Sequence, residues 1–62
     1  MEIILDNIIN MMLDKHLITD MTKEEKDIVI NNLIQKDNVI NYENVMFEIS
    51  KVITERYMDA LL

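Results

Sequence analysis

Hydrophobic residues recur along this chain with the period of an α-helix, in three segments separated by two polar breaks. In the first segment most apolar residues share one broad arc at about 100° per residue, opposite a polar stripe that repeats every four residues. The second and third segments each carry one apolar stripe. The pattern predicts a single all-α domain over residues 1–62, with helices at about 2–16, 22–36 and 41–60. The two short breaks favour antiparallel neighbours in a small three-helix arrangement.

Capping residues support these boundaries. Thr22 followed by Glu25 matches a capping box, in which each side chain bonds the backbone N–H of the other residue. Asn41 has the residue type of an N-cap for the third helix. In the break 37–41, Asn38 and Asn41 are expected to fill the turn and capping roles for which glycine is the usual residue.

The first helix carries more apolar surface than one neighbouring helix could cover. Its apolar arc comprises Ile4, Leu5, Ile8, Ile9, Met11 and Met12. Ile3 and Leu13 fall among the polar residues on the other side, so apolar side chains extend around much of the helix. We therefore expect self-association through one part of the arc. The residues proposed for this contact are Ile4, Ile8, Met11 and Met12.

The other two helices have clearer faces. The second is expected to bury Val29, Ile30, Leu33 and Ile34. The stripe of the third comprises Tyr42, Val45, Met46, Ile49, Val52, Ile53, Tyr57 and Ala60. These faces are expected to form the core of the domain.

Composition strengthens the expectation of self-association. The chain has 62 residues, of which 50% are hydrophobic, and it contains no Gly, Pro or Cys. A domain of this size buries only about 60% of the surface of its unfolded chain and is marginally stable. Disulfides are impossible, and a single histidine without cysteine does not suit a structural zinc site. Completion of the fold by homodimerisation is the expected support.

The net charge of the chain limits the classes of partner that it is expected to bind. The net charge of −6 disfavours binding to nucleic-acid phosphates or anionic membranes and makes a larger protein with a basic surface the more natural partner. The chain has no uncharged run of the roughly 18 residues that a membrane span needs, and a cytoplasmic location is expected. The abundance of Ile, Asn and Lys is typical of an AT-rich genome, such as that of a low-GC bacterium or its phage.

Two features of the third helix suggest binding to another protein. Phe47 and Met58 lie together opposite the main apolar stripe, with Leu61 nearby, and an aromatic beside a flexible methionine is a typical interface anchor. Either another helix of the bundle or another chain could cover them. Arg56 interrupts the main stripe, which implies either a specific carboxylate partner or a guanidinium that reaches water over the edge of the core.

Acidic residues form the last candidate surface. Glu48, Glu55 and Asp59 line one flank of the third helix. Such a stripe could imitate the phosphates of a nucleic acid or dock on a basic protein, whereas a simple solvated face is the plainer interpretation.

Nothing in the sequence indicates catalysis. His16 has no second histidine or nearby nucleophile, and the acidic residues at 20–27 lack the glycine and ligand spacing of a calcium loop. We therefore expect no catalytic, cofactor or metal site. The predicted function is a non-enzymatic regulator or inhibitor that binds a larger intracellular protein through a helix face. The alternatives are an acidic nucleic-acid mimic and a purely structural oligomerisation module.

Overall fold

The computed structural model describes residues 2–37 and 39–61, with the backbone alone at Glu2. Within these residues the chain forms three α-helices, α1 (Glu2–Lys15), α2 (Lys23–Lys36) and α3 (Tyr42–Leu61). The predicted all-α, three-helix fold is therefore confirmed, and each helix begins and ends within one residue of its predicted boundary.

The predicted starts of α2 and α3 are formed by the expected caps. The backbone N–H of Glu25 donates to Thr22 Oγ1 over 3.2 Å, and the backbone N–H of Thr22 donates to Glu25 Oε1 over 2.9 Å. At α3 the backbone N–H of Asn44 donates to Asn41 Oδ1 over 2.9 Å. These side chains satisfy backbone donors that have no partner within the helix.

The ends of α1 and α2 use different residues from those expected. Leu17 and Asp37 adopt left-handed backbone conformations, with φ of 57° and 52°. At Leu17 the chain forms a Schellman motif, because Ile18 N bonds Leu13 O at 2.9 Å and Leu17 N bonds Asp14 O at 3.2 Å. Because the chain has no glycine, Leu17 and Asp37 take the left-handed positions at the ends of α1 and α2. The asparagine expected to share this role, Asn38, lies outside the described residues.

The helix directions differ in part from the prediction. His16, just after α1, hydrogen-bonds the hydroxyl of Tyr42 at the start of α3. Ile3, near the start of α1, lines a cleft with Lys23 at the start of α2. α1 therefore runs antiparallel to α3 and in the same general sense as α2. The expected antiparallel pairing of α1 with α2 is wrong, because the connector 16–22 is long enough to return along the bundle at about 3.3 Å per residue.

α3 packs antiparallel against α2, as predicted. Lys36 at the end of α2 pairs with Glu48 in the first half of α3, whereas Glu25 at the start of α2 pairs with Arg56 in the second half. α2 packs against both other helices, and α1 and α3 touch each other far less.

The core draws on all three helices and the first connector. Its buried members are Leu5, Ile9, Met12, Leu13, Met21, Val29, Ile30, Leu33, Val45, Ile49 and Val52. Leu13 was expected on the polar side of α1, but the Schellman motif folds Ile18 back over it and encloses both in the apolar cluster. Ile34 was expected in the core but lies at the edge of the buried face and is exposed.

Candidate interaction surface

An apolar groove separates α1 from α3. Its cavity has a volume of about 270 Å³, and its lining is apolar apart from Asn41. The lining residues are Ile8, Met11, Met12, Ile40, Asn41, Tyr42 and Val45. The groove exists because α1 and α3 are each held by α2 and hardly pack on one another. Its apolar lining is chemically suited to apolar side chains.

Two of the four residues predicted for self-association, Ile8 and Met11, line the α1 side of this groove and are accessible, and Ile4 lies one turn before Ile8. Met11 is 71% exposed, Ile4 is also exposed and Ile8 is half-buried. Their spacing of four and three residues places them on one helical stripe. Met12 differs from the expectation, because it is buried in the core and forms part of the groove lining without facing solvent.

Polar groups mark one end of the groove. The Lys15 ammonium lies 5.1 Å from the centroid of the Tyr42 ring, and His16 bonds the Tyr42 hydroxyl. His16 thus makes a structural contact just after the end of α1. Tyr42 was expected in the core of the domain, but it is exposed and lines the groove. The feature that could have indicated its exposure is its position in the first turn of α3, before the fully buried residues of the stripe begin.

The C-terminal part of α3 extends beyond its contacts with α2. α3 has 20 residues and α2 has 14, which correspond to about 30 Å and about 21 Å at 1.5 Å per residue. After Arg56, residues 57–61 are all exposed, including Tyr57, Met58 and Leu61. Apolar side chains on this overhang are therefore available for a contact with another chain.

Phe47 and Met58 lie exposed on the outer face of α3, which excludes a neighbouring helix of this chain as their cover. The Phe47 side chain is 61% exposed. The ammonium groups of Lys36 and Lys51 lie 5.6 Å and 5.8 Å from the centroid of its ring, within the range of cation–π attraction. Most of the Phe47 side chain stays accessible beside these two lysines.

Glu48 is buried and does not belong to an exposed acidic flank. It is only 2% exposed, and its carboxylate accepts from Lys36 Nζ at 2.7 Å and from Asn32 Nδ2 at 3.2 Å, with Lys51 Nζ at 3.2 Å. Burial by itself raises the pKa of this carboxyl, but the three hydrogen bonds outweigh burial and hold the pKa below its ordinary value. The expected flank is therefore reduced to Glu55 and Asp59, both exposed.

Arg56 has a defined partner within the chain. Its Nε and Nη2 donate to the two oxygens of Glu25 at 2.9 Å and 2.7 Å, and its Nη1 donates to Asp20 at 2.8 Å. The bidentate contact lowers the pKa of Glu25. Through these two carboxylates Arg56 links α3 to the first turn of α2 and to the connector before it. Its guanidinium is therefore already engaged within the chain and is not a free contact for a partner.

A second cleft, of about 510 Å³, lies between α1 and α2 and has a mixed lining that includes Asp6, Lys23 and Asp27.

Across residues 2–37 and 39–61, no three His, Cys, Asp or Glu side chains are grouped as a metal site would require. In the same part of the chain no helix combines the length and apolar character needed to cross a membrane. Comparisons with protein-family models, curated proteins and solved structures find no match to the chain.

Proposed function

We propose that this chain is a non-enzymatic protein-binding regulator or inhibitor that self-associates, as a dimer, through the face formed by α1 and α3. The outer face of α3 then docks on a larger protein and alters the activity of that protein. The observation that carries the proposal is the open apolar groove between α1 and α3, which includes the exposed side chain of Met11 in its lining.

A second chain seated on the groove would remove its apolar lining from water. Apolar surface removed from water contributes roughly 25 cal/mol per Å², and a domain of this length has little stability to spare. A second chain that covers the groove would supply apolar contacts that three short helices cannot make among themselves. Self-association is thus a direct way for this fold to gain stability.

Met11→Glu tests the self-association. Because Met11 is exposed in the single chain, the charge disturbs a dimer far more than it disturbs the fold. Ile3→Glu is the matched control on the same helix, since Ile3 is also exposed but faces the cleft with α2. Sedimentation should show a dimer for the wild type and for Ile3→Glu, and a helical monomer for Met11→Glu. Equal association of all three chains would refute the proposed face.

Phe47→Ala tests the docking of a larger protein. Truncation of an exposed interface anchor is expected to weaken binding by about 2 kcal/mol or more, while stability and dimerisation persist. Ile28→Ala, an exposed residue on α2, provides a control. The immobilised wild type and both variants would be used to capture proteins from the source cells, followed by affinity measurement on the purified candidate. A partner bound equally by all three would reject this face.

The acidic nucleic-acid mimic is less well supported. Glu48, Glu25 and Asp20 each contact a cationic side chain within the molecule, which reduces the unneutralised negative charge that a mimic needs. The dependence of binding affinity on salt concentration distinguishes the protein-binding regulator from the acidic mimic. Binding through Phe47 and Met58 should change little between about 0.1 M and about 1 M salt, whereas binding by an acidic mimic should fall steeply over that range. A chain that dimerises and captures no partner would be a structural oligomerisation module.

A further inference from the structure

One stripe of α3 consists of uncharged side chains from the first turn to the last, with Glu43 at its edge in the first turn. Its members follow one another at intervals of four, four, three, four and four residues, which keeps them on one side of the helix. They are Tyr42, Met46, Ser50, Ile53, Tyr57 and Leu61. Met46 and Ile53 are half-buried and the other four are exposed, so the stripe borders the core without being covered by it.

The stripe runs from the groove between α1 and α3 to the exposed C-terminal overhang of α3 (residues 57–61). Its N-terminal end, at Tyr42, lines the groove with α1. Its C-terminal end, at Tyr57 and Leu61, lies on the overhang beyond Arg56. A second copy of α3 laid antiparallel along the first would bring each overhang to the groove of the other chain.

We propose that two copies of this chain pair through this stripe, with the two α3 helices antiparallel and related by a two-fold axis near their midpoint. In this register Tyr42 faces Leu61 of the second copy, Met46 faces Tyr57, and Ser50 faces Ile53. Every facing pair is then apolar or small, and the small Ser50 lets the two helices approach near the axis. Each groove receives one overhang, so the arrangement closes on itself as an isologous dimer.

The charges at the two ends of the stripe are complementary. The last turn of α3 has no basic residue, unlike the last turns of α1 and α2, which contain Lys15 and Lys36. Its carbonyl groups give that end a partial negative charge. Antiparallel pairing places this end beside Lys15 and His16 of the other chain, at the cationic end of the groove. The same pairing leaves Phe47 and Met58 on the outside of the dimer.

Cysteine cross-linking tests the register, because the chain has no cysteine of its own. The test protein carries Met46→Cys with Tyr57→Cys, and the control carries Phe47→Cys with Met58→Cys. Both pairs are eleven residues apart, about 16 Å along the helix, which is too far for a disulfide within one chain. After mild oxidation the test protein should run as a covalent dimer on a non-reducing gel, and the control should run as a monomer.

This inference rests on the proposed self-association, and sedimentation of the wild type separates the two. A monomeric wild type would reject both. A dimeric wild type with cross-linking only in the control, or in neither protein, would reject the α3 pairing and leave self-association standing. If Met46→Cys with Tyr57→Cys loses its helical circular dichroism, Tyr42→Cys with Leu61→Cys replaces it, because both of those residues are exposed. Absence of its covalent dimer would equally overturn the inference.

Discussion

Replacing Glu48 by Gln removes the charge of the buried carboxylate while keeping its shape. The wild-type side chain is 3% exposed and contacts three donor groups, from Lys36, Lys51 and Asn32. A glutamine amide offers one acceptor oxygen and one NH₂ group, so at least one of these donors must face another donor. The variant therefore leaves buried hydrogen-bonding groups unsatisfied at the contact between α2 and α3.

The expected loss of stability is about 2 kcal/mol. Removing one member of a buried ion pair commonly costs about 3 to 5 kcal/mol. Here the side chains of Lys36 and Lys51 are 41% and 35% exposed and can turn towards water, which reduces the loss. For a domain of this size about 2 kcal/mol corresponds to a fall of roughly 8 to 16 °C in Tm.

Urea unfolding monitored by circular dichroism measures the difference. Glu55→Gln is the matched control, since it removes an exposed carboxylate from the same helix and should change stability by no more than about 0.5 kcal/mol. Equal losses in the two variants, or a loss below about 0.5 kcal/mol for Glu48→Gln, would refute the role given to the buried carboxylate.

The effect of Glu48→Gln should depend on pH with a defined sign. The folded-state pKa of Glu48 lies below its ordinary value of 4.5 because hydrogen bonds to the carboxylate outweigh burial. Its contribution to stability is therefore fully present above about pH 4.5 and is lost as the pH falls through the folded-state pKa. The two proteins should differ at neutral pH and converge in acid. A difference in unfolding free energy that stays constant down to the lowest pH at which the wild type folds would contradict the role given to the ionised carboxylate.

Two further predictions concern the helix ends. Thr22→Ala should lose about 1 kcal/mol in urea unfolding because it breaks the capping box, whereas Thr54→Ala on the exposed side of α3 should not; equal losses would contradict the cap. Leu17→Gly should gain about 0.5 to 1 kcal/mol, since glycine relieves a left-handed conformation at a side chain that is 85% exposed; a loss would show that Leu17 makes contacts that outweigh the strain.

Local features of the fold could be predicted from the sequence. Helix periodicity located all three helices, and Thr22, Glu25 and Asn41 specified two of their starts through short-range hydrogen bonds. The burial of Leu13 could not be predicted in this way. It depends on the backbone of Leu17 turning left-handed and carrying Ile18 back over the helix, for which a chain without glycine gives no local indication.

The interaction surface was predictable only in part. The excess of apolar residues on α1 predicted that one neighbour would leave part of the arc uncovered, and Ile4 and Met11 are exposed. The partners of Glu48 and Arg56 depend on how α2 and α3 cross, and helical spacing within α3 carries no information on that crossing. The groove itself arises because α1 and α3 each pack on α2 and hardly on one another, and the sequence of no single helix determines that packing.

The mass of the wild-type protein in solution tests the central claim most directly. Sedimentation equilibrium at micromolar concentrations should give about twice the chain mass of 7.4 kDa, and the association should weaken on dilution. A folded protein that sediments as a 7.4 kDa monomer throughout this range would contradict the account, because the groove between α1 and α3 would then remain open to water.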